Sequence, residues 1–361
     1  MAASGQQGRA RGSQGGAANA SASTGRDAFG VRLRRRLQVW PLWCAAGVIV
    51  LGLLPLWMAV ALVHDLVRPC RFAGVRWTAL AASLLALEAM GVATASVLGL
   101  LAPIDSARGQ ALHRALQIRW GRSVLGVGMA LMSMRLVVEG EDVRGGGPAV
   151  VLPRHASLAD ALLPTLLLAG AGGFALRFVL KRELLADPCL DLVGNRLPNA
   201  FIRRSGDSEG AARQLAALAE GLGPGEAVVI YPEGTRASQR RRQVALAARE
   251  AAGDREGAAR IASFRRLLPP HAGGVEALLA AAPEADVVLL GHVGFDDVVT
   301  LRDMLGGKLV GRTVRVRLER VVRREIPASA EDRRAWLDVR WRAMDHWVDA
   351  ALAAEAAADR V

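Results

Sequence analysis

The apolar and polar positions divide the chain into stretches of different texture. Residues 39–63 contain no charged side chain, and residues 77–104 contain one ionisable group, Glu88. A helix needs about 20 apolar residues to cross the hydrocarbon layer, so each run predicts a membrane helix. The first starts too deep in the chain and runs too long for a secretory signal peptide, whose apolar core is about 7–15 residues. The short link between the runs carries Asp65, Arg68, Arg71 and Arg76, and a two-helix membrane hairpin over residues 31–104 follows. Arg32, Arg34, Arg35 and Arg36 precede it and Arg108, Arg114, Arg119 and Arg122 follow it, which favours the cytoplasm for both outer flanks. The link is basic too, and with Pro41, Pro55 and Pro69 a shallow hairpin that enters one leaflet and returns fits the same pattern. Glu88 reads as a functional polar group in the membrane or as a protonated carboxyl facing the partner helix.

Residues 105–134 mix arginine with Leu, Ile, Trp and Met. They predict an amphipathic helix, either lying in the membrane interface or simply packing on its neighbours. After residue 134 short β-branched runs alternate with Ala/Leu-rich stretches, the texture of an α/β fold with a mostly parallel sheet flanked by helices. Strands are expected at 136–139, 149–152, 177–180, 200–203, 227–231, 286–291 and 313–320, and helices at 157–169, 210–221, 274–281 and 330–354. Residues 1–30 are Gly, Ala, Ser, Gln and Arg with almost nothing large and apolar, and read as a disordered basic tail. The organisation is thus tail (1–30), membrane anchor (31–104), amphipathic helix (105–134) and one α/β domain (135–361).

Composition sharpens the picture. The 361 residues are 52% hydrophobic yet carry a net charge of +12, a combination seldom found in a uniformly soluble globule. Lysine occurs only at Lys181 and Lys308, so arginine supplies 44 of the 46 basic residues, groups that stay charged and fork onto phosphate. Anionic partners are implied. Nucleic acid is disfavoured by the membrane anchor and scattered aromatics. Cys44, Cys70 and Cys189 are far apart and form no metal-ligand spacing, so a reducing compartment and no metal are expected. Neither GxGxxG nor a Walker sequence follows a strand, which removes support for nucleotide binding by such loops. The excess of Arg, Ala and Gly hints at a GC-rich bacterial genome, and then at the inner membrane with a cytoplasmic active site.

Candidate chemistry begins after the strand at 149–152. His155 falls in the following loop, Ser157 can cap the next helix and Asp160 lies in its first turn. On a continuous helix residues five apart diverge by about 140°. Across a loop-to-helix junction the Asp160 carboxylate can instead meet one imidazole nitrogen while the other faces outward, a base with its orienter. Ser157 and Asp160 also read as a capping box, with no catalytic meaning. Lys181, and Arg203 with Arg204, end two apolar runs, where the strand ends of an open sheet line a ligand crevice. They suit a substrate phosphate, or equally a solvated helix start. YPEGTR at 231–236 ends a buried-looking strand and presents Glu233, Gly234, Thr235 and Arg236 together. An arginine fork there suits a phosphate monoester and a carboxylate suits a hydroxyl, while a tight turn with a local Glu–Arg pair is the plain alternative. The charged insertion 237–266 reads as a solvated helix pair or as a contact for anionic lipid or donor phosphates. Trp336, Trp341 and Trp347 in the last helix are explained by covering the core.

HASLAD at 155–160 with its HxxxxD spacing, FIRR at 201–204, YPEGTR at 231–236 and LLPPHAGG at 267–274 stand in the order of the four motifs of the glycerolipid acyltransferases. The chain resembles that family, that of 1-acylglycerol-3-phosphate acyltransferase, from about residue 136 to 327. FVLKREL at 178–184 and the ending at 306–327 are also similar to the lysocardiolipin acyltransferase branch. The resemblance implies acyl transfer from an acyl thioester, acyl-CoA or acyl-carrier protein, to the hydroxyl of a lysophospholipid, with no cofactor and no covalent acyl-enzyme. It implies His155 as general base oriented by Asp160, and Lys181, Arg203, Arg204 and Arg236 as ligands of the acceptor's phosphate. Glu233, Gly234 and Thr235 would shape the acceptor pocket, and Pro269 would lie near the acyl donor. Where the branch tends to have a basic residue next, this chain has Pro270, followed by His271, which either replaces the charge or has no role. Other acceptors, lysocardiolipin, glycerol-3-phosphate or an ornithine lipid, belong to the same implied chemistry. An inactive, lipid-binding scaffold is the non-enzymatic alternative.

Overall fold

The computed structural model describes residues 27, 29–68, 71–140, 142–170, 173–202, 208–296 and 301–358. Most of the expected tail, and Arg203 and Arg204, lie outside the described residues. Four helices lead the chain: α1 (Phe29–Gly52), α2 (Leu54–Val67), α3 (Ala73–Leu101) and α4 (Ala107–Leu131). The first apolar run is therefore a bent pair of helices, α1 and α2, and α3 is the second of the two apolar stretches expected over residues 31–104. α1 and α2 together are apolar enough to cross a membrane, but they bend by 63° at their junction. Pro55 in the first turn of α2 cannot donate to a carbonyl of the preceding turn, so the hydrogen-bond ladder restarts there. α3, at 29 residues, is by itself long and apolar enough to cross. The buried carboxylate of Asp65 ties α2 to α3 by accepting from the N–H groups of Gly74 and Val75 at 3.0 and 2.9 Å, two of the donors left open at a helix start.

α4 packs along α3 and also covers the α/β domain. Gly121 lies against Thr165, Arg122 donates to the Ala169 carbonyl at 2.8 Å, and Leu125 joins the core around Leu163 and Leu168. The same segment thus links the anchor to the catalytic-looking domain.

That domain runs β1 (Arg135–Gly140), β2 (Ala149–Pro153), α5 (Leu163–Leu168), β3 (Ala175–Lys181), β4 (Ala200–Ile202), α6 (Ser208–Ala219), β5 (Glu226–Val229), α7 (Gln239–Ala251), α8 (Arg255–Ala262), α9 (Ala272–Ala281), β6 (Asp286–Val293), α10 (Leu301–Leu305), β7 (Thr313–Val321) and α11 (Ala330–Ala358). All seven expected strands are present. They form one sheet in the order β1-β7-β6-β2-β5-β3-β4, parallel at every junction except β6 with β7. Side chains alternate between two cores: Val150, Leu152, Val228, Val287 and Leu289 face α6, α9 and α11, while Val151, Val229, Val288 and Leu290 face α4 and α5. Burial on both faces is why β2 reads as an unbroken apolar run. The insertion after β5 is a helix pair, α7 capped by Ser238 and α8 capped by Asp254. Trp341 of α11 is fully buried, as a core-covering role requires.

Candidate active site

β2 is flanked on both sides by parallel partners, β5 and β6, so the loops after β2 and β5 leave the sheet at the same edge. The helix expected over 157–169 starts only as a 3-10 turn at Ala159–Leu162 before α5. Pro164 has no N–H to return to the Asp160 carbonyl. That carbonyl accepts from the Leu163 N–H and, at 3.3 Å, from the Tyr231 hydroxyl.

The delayed helix lets Asp160 fold back over its own loop. Its Oδ2 accepts from the N–H groups of Ala156 and Ser157, each at 2.6 Å, and its Oδ1 lies 2.9 Å from Nδ1 of His155. Ser157 Oγ accepts from the N–H of Ala159 at 3.0 Å. The capping arrangement and the His–Asp contact, posed as alternatives from sequence, therefore coexist: the cap is the scaffold that aims the carboxylate. Because Oδ1 is an acceptor, Nδ1 carries the hydrogen and Nε2 keeps its lone pair. Burial opposes the charged form of Asp160, yet hydrogen bonds from His155 and His292 hold its carboxyl well below the usual range. The Tyr231 ring leans on the imidazole with centroids 4.7 Å apart and fixes its other face.

Glu233 has a different place from the one expected. Only 1% exposed, it gives Oε1 to the His155 N–H at 2.9 Å and Oε2 to the Leu268 N–H at 3.0 Å. It supports the His155 loop and the 267–274 loop from beneath instead of facing a hydroxyl. Burial pushes its carboxyl up to about 8, against the pull of those two N–H groups and Arg154. Gly234 takes φ +62, and a Cβ there would stand 3.2 Å from the ring of His271. This left-handed turn reverses the chain, so Glu233 points inward while Arg236 is exposed. The next residue, Ala237, donates its N–H to the His155 carbonyl at 2.6 Å, which binds the arginine-bearing segment to the histidine loop. Thr235 is half-buried and its hydroxyl has no partner among the described residues. Lys181, half-buried, ends β3, which lies beside β5. Pro269 is half-buried in the 267–274 loop. The carbonyl of its neighbour Pro270 accepts from Arg260 of α8 at 2.8 Å, and the same guanidinium pairs with Asp338 at 2.6 Å.

Four supporting groups carried no sequence signal of their own. His292 on β6 stands 3.3 Å from Asp160 Oδ2. Arg154, buried beside His155, pairs with Asp296 at 2.5 Å. Asp345 of α11 accepts the N–H groups of Arg265, Arg266 and Leu267 at 2.7–2.8 Å. Trp341 donates to the Leu268 carbonyl at 3.1 Å. Three of them come from strands or helices remote in sequence, and Arg154, next to His155 in the chain, meets its partner Asp296 only through the fold. Two further cations of the β3 segment are used internally: Arg177 binds Glu226, and Arg182 binds Asp27.

Residues 135–293 match the family model Acyltransferase. No curated protein matches the chain. Among solved structures, the chain is similar to the 1-acyl-sn-glycerophosphate acyltransferase of Thermotoga maritima, at 17% identity and a TM-score of 0.44, over 66% of this chain and 81% of that one.

Proposed function

We propose, from the premise that residues 135–293 form an acyltransferase domain, that this protein moves a fatty acyl group from an acyl thioester to the free hydroxyl of a lysophospholipid. The acceptor we assign is 1-acylglycerol-3-phosphate, giving phosphatidic acid. The observation that carries the reading is the 2.9 Å contact between His155 Nδ1 and an Asp160 carboxylate already supplied with backbone donors.

In this reaction His155 Nε2 takes the proton of the acceptor hydroxyl, and the alkoxide oxygen attacks the thioester carbonyl. The tetrahedral adduct collapses with formation of the ester C–O bond and cleavage of the C–S bond, and the leaving thiolate receives the proton from Nε2. Positioned proton transfer of this kind contributes about 10²- to 10⁴-fold. Asp160 stays ionised throughout and stabilises the transient imidazolium. Arg236, with Lys181, Arg203 and Arg204, holds the acceptor's phosphate, and Thr235 offers its hydroxyl to the same ligand. α3 anchors the domain to the membrane, which brings the strand-end crevice to its lipid substrate.

The test is transfer of labelled acyl chains from acyl-CoA by the detergent-purified full-length protein, offered 1-acylglycerol-3-phosphate, lysocardiolipin, glycerol-3-phosphate and a lyso-ornithine lipid in parallel. Phosphatidic acid is the expected major product. Preference for another acceptor would reassign the headgroup while keeping the chemistry. No transfer to any acceptor would favour a lipid-binding scaffold and overturn the proposal.

A further inference from the structure

The catalytic-looking carboxylate has a contact that its own motif does not provide. Among the described residues, every backbone donor to the Asp160 carboxylate comes from residues 156 and 157, within the loop it belongs to, so those bonds fix the carboxylate to the loop but not to the sheet. Among the described residues, the one side chain from outside the loop that reaches it is His292. Pro153 at the end of β2 pairs with Leu290 of β6, and two residues further along, level with His155, stands His292.

We infer that His292 is a positioning residue for the reaction: its Nε2–H grips the second oxygen of Asp160 and ties the His155–Asp160 pair to the central sheet. This inference rests on the reading of His155 as general base. His292 is 0% exposed, and its Nε2 is 3.3 Å from both Asp160 Oδ2 and the Arg154 carbonyl oxygen. Both neighbours are acceptors, so Nε2 must be the donor. Its Nδ1 has no partner among the described residues, and the ring packs edge-on to Phe295 with centroids 6.0 Å apart. The strand carrying it is itself clamped. Arg154 donates to the His292 carbonyl and, through its other terminal nitrogen, to Asp296, each at 2.5 Å. The residue preceding the general base therefore holds the backbone of the residue that holds the general base's partner.

Removing the donor has a consequence that loss of packing lacks. A carboxylate relieved of one N–H keeps more of its charge for His155, so the imidazolium becomes more stable and the imidazole is freed only at higher pH. In full-length enzyme assayed with 1-acylglycerol-3-phosphate and acyl-CoA, His292→Leu should lower kcat by about 10- to 100-fold, the range seen when the group orienting a functional side chain is removed. KM should stay within about twofold, and the acid limb of the kcat/KM profile should move up in pH. His292→Gln keeps an N–H at the position of Nε2 and should recover kcat to within about threefold, with the limb restored. Wild-type kcat and an unmoved acid limb in His292→Leu would overturn the inference, as would equal losses in the Leu and Gln variants. If the Leu variant fails to fold, His292→Asn, whose donor is too short to reach, takes its place, and equal rates for Asn and Gln again overturn it. Full activity in His155→Ala would sink the general-base reading itself. An inactive His155→Ala beside a normal His292→Leu would sink only the role of His292.

Discussion

The floor and the rim of the crevice handle charge in opposite ways. On the floor, Asp160, Glu233, Arg154 and His292 are almost fully buried and each is held by named partners. On the rim, Arg236 is exposed and its guanidinium makes no hydrogen bond or ion pair with other described residues. The floor is fixed by its internal bonds, whereas the exposed cation of the rim is the one we propose for the acceptor's phosphate. Within the floor the two carboxyls divide again. Asp160 remains ionised because imidazoles and backbone N–H groups surround it. Glu233, with two N–H partners and deeper desolvation, is pushed up to about 8 and is largely protonated at neutral pH. Electrostatic catalysis needs the first kind of carboxyl, and structural bracing can use the second.

Removing the base should break the floor most severely. His155→Ala should lower transfer by about 10³-fold or more while thermal unfolding stays near wild type, because the imidazole is a tip of the loop and not part of either core. On the rim, Arg236→Ala should raise the acceptor KM about tenfold, roughly 1.4 kcal/mol, with kcat little changed. Arg236→Lys should recover part of it, and rising salt should narrow the gap between the variants. A fall in kcat with unchanged KM would move Arg236 from rim to floor. Asp345→Ala leaves three N–H groups of the 265–267 segment without their acceptor and should cost about 1–3 kcal/mol in stability, read as a lower melting temperature. Its effect on kcat should be smaller than that of His155→Ala.

Glu233→Gln is the mildest and most diagnostic change. A carboxyl whose value rises from 4.5 to about 8 on folding binds more protons in the folded state across that window. Its stabilisation is complete below about 4.5 and is lost as pH rises through about 8. The wild-type melting temperature should therefore decline from pH 5 to pH 8 by more than that of Glu233→Gln, which cannot ionise. Parallel slopes for the two proteins would show that Glu233 is charged in the fold.

The strands were readable in the sequence because β-branched runs buried on both faces leave few other options, and the motif residues were readable because their spacing is local. Three features were not. The break between α1 and α2 needed the geometry at residue 53 as well as the prolines already visible in the run. The inward turn of Glu233 depends on the positive φ of Gly234, and neighbouring polar residues in a tight turn do not announce which of them is buried. His292 lies one residue beyond the strand expected at 286–291 and belongs to none of the motifs. Only the register between β6 and β2 reveals what it faces. Local chemistry was legible, and support arriving from remote elements was not.

The central claim is that Asp160 fixes the His155 imidazole with its hydrogen on Nδ1, leaving Nε2 ready to accept a proton. Nitrogen-15 chemical shifts of the histidine rings in the full-length protein, with His155 assigned by its loss in His155→Ala, measure this directly. For the neutral ring without substrate, the account predicts a hydrogen on Nδ1 and an unprotonated, pyridine-like Nε2. A hydrogen on Nε2 with Nδ1 bare would contradict it.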